Sequence, residues 1–184
     1  TIILVEQITE SPNVERKVTE ICSPGTETDP YNKSDSNFLL SLYITTYPSY
    51  KQKLHIVGLS AINVSTGKNY VHNIISKQDD IHLWKDDTYR FLHYYNPSEI
   101  IIHSSDDIQL STKMLSQMFD ISELIINNNI NYNSEYHKLS YQNQCFSTYF
   151  PSDSMLSPIE YLELERYEEV RISYLYLLQF MHQH

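Results

Sequence analysis

Glu99-Ile100-Ile101-Ile102-His103 is the stretch that most restricts what this chain can become. Three β-branched residues in unbroken succession put apolar side chains on both sides of an extended backbone, so the strand needs a covering layer on each face, as buried parallel strands do. A helix precedes it. Ile81, Trp84, Thr88, Phe91, Leu92 and Tyr95 recur at spacings of three and four, with Lys85, Asp86, Asp87 and Arg90 on the other side. Asp79 or Asp80 is placed to cap the start of this helix, and Asn96-Pro97 stops it. A helix between two strands is the connection that parallel pairing requires.

Three more strands come before that helix. Phe38 to Ile44 is a nearly continuous apolar run, and Pro48 to Gln52 turns the chain. His55 to Val64 carries Val57, Leu59 and Ala61 on one alternation and Ile56, Ile62 and Val64 on the other, which again predicts a strand covered on both sides. Ser65-Thr66-Gly67-Lys68 reads as a hairpin turn, after which Asn69 to Ile75 returns with Val71 and Ile75 on one face. Downstream, the pattern predicts a helix from Asp107 to Phe119 with Leu110, Met114, Leu115 and Met118 inward, and a strand at Leu124-Ile125-Ile126. A third helix is expected from Ser134 to Phe150, with Tyr136, Leu139, Phe146 and Phe150 on one stripe. The order βββαβαβα folds into a mixed five-stranded sheet with helices on its faces, the ribonuclease-H-like architecture within the α/β class. That architecture hosts nucleases and inert modules alike, so it does not settle function.

The flanks of this unit differ from it. Thr1 to Gln7 is a buried-strand candidate, and Val14 to Ser23 alternates Val14, Val18 and Cys22 with charged or polar neighbours; Pro12-Asn13 makes the turn between them. The second strand runs into Pro24-Gly25-Thr26, where proline fixes φ and glycine is expected to supply φ freedom for a sharp exit. Polar residues without apolar periodicity then continue to Asn37, and these form a linker. At the other end, Ser157-Pro158-Ile159-Glu160 has the features of a helix start: Ser as N-cap, Pro at the first helical position and Glu three residues after the Ser. A last helix follows Arg166 or Tyr167, with Val170, Tyr174, Leu175, Leu177, Leu178, Phe180 and Met181 spread around its circumference. Such a helix expects apolar neighbours, which this reading places beyond His184, with self-association through the helix as a further expectation. The chain starts in what reads as mid-strand and without Met, so a fragment of a longer protein is expected.

Charge and motif content bear on function. With 13 basic and 23 acidic residues among 184, the formal net charge is −10, which repels phosphates unless basic groups gather in one place. Arg16-Lys17 and Lys51 with Lys53 are the densest spots, so a main DNA-binding surface is not expected and no residue is assigned to DNA contact. Cys22 and Cys145 lie far apart and suit a reducing, intracellular compartment rather than a disulfide framework. No apolar run reaches membrane-spanning length, and Thr1 to Val5 is too short for a secretory signal. Two-metal phosphodiester hydrolysis needs converging carboxylates, the first of them on the first strand of such a sheet, yet Phe38 to Ile44 has no acid. Asp106 and Asp107 after the branched strand, with Asp79, Asp80, Asp86 and Asp87 around the first helix, are therefore read as caps and solvated surface. A stand-alone metal-dependent nuclease is the competing function, and a free-standing adaptor the third. His55, His72, His82, His93, His103 and His137 share no ligand spacing, and His182 and His184 do not face one way, so no metal site is predicted. With three glycines there is little room for a phosphate loop. Tyr94-Tyr95 and the other tyrosine-rich segments lack interleaved Lys and Arg and are read as core and interface rather than as base-stacking platforms.

Several stretches resemble the MutS family of DNA mismatch repair proteins. Val5-Glu6-Gln7 looks like the family's Glu-Gln strand near the end of the mismatch-recognition domain, and Val14 to Thr26 like the closing strand and the Pro-Gly-Thr turn that opens the connector domain. Gly58 to Gly67, GLSAINVSTG, is similar to the family's hairpin, with Asn63 where many members have Asp. Asn96-Pro97-Ser98-Glu99-Ile100 matches an Asn-Pro-(Ser/Ala)-Glu pattern, and Ser157 to Tyr167, SPIEYLELERY, resembles the start of the helical core, or lever, domain. The wording is similar to the branch found in large DNA viruses and octocoral mitochondria, which often carries a C-terminal nuclease. The resemblance implies four parts: the end of a mismatch-recognition domain over 1–24, a linker over 25–37, a ribonuclease-H-like connector over 38–152 and the first core helices over 153–184. It implies no catalytic, metal or cofactor residue here. The mismatch wedge belongs upstream and the DNA-dependent ATPase, with ATP and Mg, downstream. It further implies mismatched DNA, the other MutS domains, a second copy of the full protein and a MutL-type factor as partners, no membrane, and a cytoplasmic, viral-factory or mitochondrial setting. Pro24, Gly25 and Thr26 are the candidate interdomain hinge.

Overall fold

The computed structural model describes residues 2–7, 15–23, 25–26, 37–49, 53–105, 111–121, 125–127, 134–151 and 153–183. Two sheets are present among them. β1 (Ile2–Gln7) and β2 (Arg16–Cys22) pair antiparallel as a ribbon, with a register shift between Leu4 and Val5. β3 (Phe38–Pro48), β4 (Lys53–Asn63), β5 (Lys68–Ile75), β6 (Glu99–Ser104) and β7 (Ile125–Asn127) form the second sheet in the order β5-β4-β3-β6-β7. β3, β4 and β5 are an antiparallel meander, whereas β6 runs parallel to β3 and β7 parallel to β6. The sheet is thus mixed and five-stranded, as the sequence pattern predicts.

Alternation along the central strands divides the core into two layers. Leu40, Leu42 and Ile44 of β3, with Val57, Leu59 and Ala61 of β4, meet Trp84 and Leu92 of α1 (Leu83–Tyr95) and Leu115 and Phe119 of α2 (Thr112–Phe119). On the opposite face Leu39, Ile62 and Ile101 meet Phe146 of α3 (Leu139–Tyr149), Ile159 of α4 (Pro158–Tyr161) and a row of apolar residues from α5 (Glu168–Gln183). Ile100 and Ile102 point to the first layer and Ile101 to the second, so the branched run of β6 serves both.

Several elements differ from the sequence expectation. α5 does not wait for neighbours beyond His184: Val170 to Leu178 and Phe180 are buried, mostly against the sheet, because small residues let helix and strand approach closely. A Cβ on Gly58 would stand 2.1 Å from the Glu169 carbonyl, and Ser173 Oγ lies 2.9 Å from Ser60 Oγ while donating to the Ser41 carbonyl at 2.9 Å. β1, expected to be buried, is exposed along its length, with Ile2 66% and Val5 53% accessible, since β2 covers only its edge. α1 starts after His82, not at Asp79 or Asp80; Asp80 Oδ1 instead accepts the His82 N–H at 3.1 Å. Asn96 closes α1 in the left-handed region as its side chain type permits (φ 44°). α2 begins at Thr112 rather than Asp107, because Ser111 Oγ accepts the Met114 N–H at 3.2 Å; Leu110 lies outside the described residues. The third predicted helix is a 3₁₀ turn over Ser134–His137 followed by α3, and Leu139 of its expected inner stripe is 57% exposed, Gln142 being buried instead. The capping box at Ser157 forms, with the Ser157 N–H donating to Glu160 Oε2 at 2.7 Å. No helix among the described residues is long and apolar enough to cross a membrane.

Candidate functional site

Glu99 stands at the start of β6, paired in register with Leu39, and its side chain is buried with 1% accessibility. An acid at that depth must find donors, because an unpaired polar group in a low-dielectric interior costs several kcal/mol or so. They come from the turn after β2. Glu99 Oε2 accepts the Ser23 hydroxyl at 2.6 Å and the Gly25 N–H at 2.9 Å. The turn is closed on itself: Thr26 N–H donates to the Ser23 carbonyl at 3.1 Å, and Ser23 N–H to Thr26 Oγ1 at 3.0 Å. Asn37 Nδ2 donates to the Gly25 carbonyl at 3.2 Å, Ser98 Oγ to Asn37 Oδ1 at 2.5 Å, and Ser98 N–H to the Phe38 carbonyl at 2.9 Å. Ser23, Gly25 and Thr26 thus share one polar cluster with the segments 37–38 and 98–99.

Glycine fits at position 25 without displacing a neighbour, and any larger residue would push Glu99 and Leu39 aside. A Cβ would lie 2.8 Å from both Glu99 Oε2 and Leu39 Cδ1. Its φ is outside the left-handed region, so the expectation of φ freedom is corrected: glycine is needed for close approach and not for an unusual backbone. Of the three candidate hinge residues, Gly25 and Thr26 belong to the cluster and Pro24 lies outside the described residues. Sequence reasoning singled out the Pro-Gly-Thr turn and the Asn-Pro-Ser-Glu stretch separately and missed that they meet. The available signal was an acid opening a β-branched run, since such an acid has to be satisfied by something from elsewhere in the chain.

A second buried ionisable side chain fastens the other flank. Arg171 on α5 is 5% accessible; its Nη1 donates to the carbonyls of Leu164 and Glu165 at 2.6 and 2.8 Å, and its Nε to Gln142 Oε1 of α3 at 2.6 Å. Burial pulls this guanidinium below its usual range, against the nearby Glu168, Glu169 and Glu165. The remaining chemistry-bearing residues are dispersed. His103 stacks on Tyr176 with ring centroids 3.4 Å apart, and burial alone lowers it to about 4. His137 contacts Glu168 at 3.3 Å. Asp87 pairs with Arg90 at 2.9 Å, while Asp106 and Asp107 lie outside the described residues. Among the described residues no three His, Cys, Asp or Glu side chains come together as a metal-holding group. Tyr43, Tyr136, Tyr174 and Tyr176 are core residues, whereas Tyr94 at the end of α1 is exposed.

No family model matches the chain. A curated relative, described as a DNA mismatch repair protein mutS homolog of Acanthamoeba polyphaga mimivirus, aligns over 206 positions at 26% identity. The alignment takes in 100% of this chain and 18% of the relative, so the chain spans less than a fifth of that protein's length. This match along the whole chain supports a distant relationship to the MutS family of DNA mismatch repair proteins, in line with the similar stretches in the sequence.

Proposed function

We infer that this chain is the connector region of a MutS-type mismatch repair protein, without catalysis of its own, which relays between a mismatch-binding body before it and an ATPase body after it. The sheet order β5-β4-β3-β6-β7, with β6 and β7 parallel to β3, favours the ribonuclease-H-like reading of the module. The close packing of α5 on β4 favours extending that module from 38–152 to include the segment up to 183. The carrying observation is the Glu99 cluster, in which the turn closing the preceding strand is held by the sheet through two hydrogen bonds to one carboxyl oxygen. Net stabilisation from such bonds is about 1 to 3 kcal/mol each, small enough for a nucleotide-dependent force to overcome. The turn at Pro24, Gly25 and Thr26 is then a latched hinge: closed on Glu99 in one state and released in the other.

Hydrogen exchange on the full-length protein tests this. The Gly25 amide should exchange at different rates with and without ATP and Mg; equal protection in both states removes the relay. The full-length protein should be a DNA-dependent ATPase that acts as a homodimer on mismatched DNA and docks a MutL-type factor. Cleavage of DNA by this chain with Mg²⁺ or Mn²⁺, abolished by Asp106→Ala, would replace the connector reading by a nuclease.

A further inference from the structure

β5 is the outer strand of the sheet on its meander side, and among the described residues no strand pairs with its other edge. The bond from the Ser76 N–H to the His55 carbonyl fixes which residues face which way. In the antiparallel register, Lys68, Tyr70, His72 and Ile74 turn their backbone groups to β4, leaving those of Asn69, Val71, Asn73 and Ile75 directed outward. Eight residues of open edge, without proline, is a length that natural proteins cover or use. Val71 and Ile75 are exposed on the α5 face of this strand, at 41% and 53%.

A cavity of about 390 Å³ opens beside that edge. Val71 and Asn73 form one wall, and Leu162, Leu164 and Tyr167 the other, with Glu163 also lining it. Two of its lining residues bear on what it could hold. Asn73 Oδ1 is buried and has no hydrogen-bond partner, so its residue holds an unused acceptor behind the wall. Glu163, at φ 58°, is the left-handed residue of the turn that ends α4, where the Leu164 N–H donates to the Ile159 carbonyl at 3.0 Å, and its carboxyl makes the lining acidic. The lining contains Glu163, Asn73 and His72 and no Lys or Arg, on a chain of net charge −10.

We propose that the free edge of β5 receives an extended peptide as a sixth strand, with one lysine or arginine side chain of that peptide seated in the adjoining cavity. Backbone hydrogen bonds to Val71 and Asn73 supply affinity, as in other strand-addition complexes, and the cavity supplies selectivity. The aliphatic stem of the basic residue packs on Val71, Leu162 and Leu164, and its cationic tip pairs with the Glu163 carboxylate. This inference stands on the edge and the cavity and does not depend on the connector reading.

The test uses the whole chain and a blocked synthetic peptide, Thr-Ile-Thr-Lys-Thr-Ile, whose Ile and Lys side chains share one face. Amide NMR shifts should move at Asn69, Val71, Asn73 and Ile75 on titration. Replacing the peptide's Lys by Glu should abolish the shifts, and Glu163→Gln should weaken binding about threefold, as an exposed ion pair does. Val71→Pro removes an outward N–H without touching the β4 ladder and should abolish binding. N-methylating the peptide's edge-facing amides gives the same readout on the unaltered protein. Binding that survives N-methylation, tolerates Glu for Lys, or maps away from β5 overturns the proposal.

Discussion

The chain entering the five-stranded sheet and the chain leaving it are both fastened by a buried ionisable side chain, but the two fastenings differ in kind. On the incoming side, Glu99 belongs to the sheet and holds a turn by two hydrogen bonds, with Asn37 and Ser98 bracing it. On the outgoing side, Arg171 belongs to the flanking helix and gathers carbonyls of the segment before it, while the helix itself rests on β4 at backbone contact distance through Gly58. Directional bonds at a turn can be exchanged for water at modest cost. Interdigitated apolar packing cannot be released without opening the core. The incoming side thus rests on bonds that water can replace and the outgoing side on packing that it cannot.

The strongest way to break this contrast is at Gly58. Gly58→Ala drives a methyl into the backbone of Glu169 and Val170, which no side-chain rotation relieves. The expected loss in denaturant-derived stability is above about 3 kcal/mol, at or beyond the upper end of overpacking effects. A loss below 1 kcal/mol or so would mean that α5 sits loosely. Arg171→Ala comes next: it strands the Leu164 and Glu165 carbonyls and Gln142, and chemical denaturation should show about 3 kcal/mol lost.

Glu99→Ala should cost less, about 2 kcal/mol, because the Gly25 N–H and Ser23 hydroxyl can reach water once the turn lifts. Its signature is local: faster exchange of the Gly25 amide with the α5 amides unchanged. Gly25→Ala should give the same pattern by crowding Glu99 and Leu39 instead of removing the acceptor. If either substitution accelerates exchange throughout α5, the two fastenings are one cooperative unit and the contrast fails.

Legibility in the sequence followed the range of the forces involved. Strand and helix periodicity, the Asn96 stop and the Ser157 capping box are local, and their residues predict them. What covers a face is not local. Ile2 to Val5 and the apolar residues between Val170 and Phe180 look alike in sequence, yet the first are exposed and the second buried, because only the second find Gly58 and Ser60 opposite them. The Glu99 site was half legible: each partner segment stood out, but contacts spanning 74 and 76 residues leave no periodic trace. The boundary of α2 was misread for a local reason, since Asp107 and Ser111 are both able caps and only the fold selects Ser111.

The smallest effect concerns pH and tests the outgoing side alone. His103 lies on β6 a few residues from Glu99, stacked on Tyr176 of α5, with its Nε2 buried and unbonded. Burial lowers its folded-state value from 6.5 to about 4, so the folded protein binds this proton less readily than the unfolded chain. Stability from this group is therefore fully present above 6.5 and is lost as pH falls through the window down to 4. Near pH 5.5 the linkage corresponds to about 1.4 kcal/mol, or about a tenfold change in the unfolding equilibrium. Comparing melting of the wild type with His103→Phe isolates this contribution from the carboxylates, which both proteins share. The variant should lose less stability than the wild type between neutral and mildly acidic pH, and α5 amides should report the difference while the Gly25 amide does not. Equal acid sensitivity in the two proteins would show that His103 reaches water in the folded state, and that the helix side is less closed than its packing indicates.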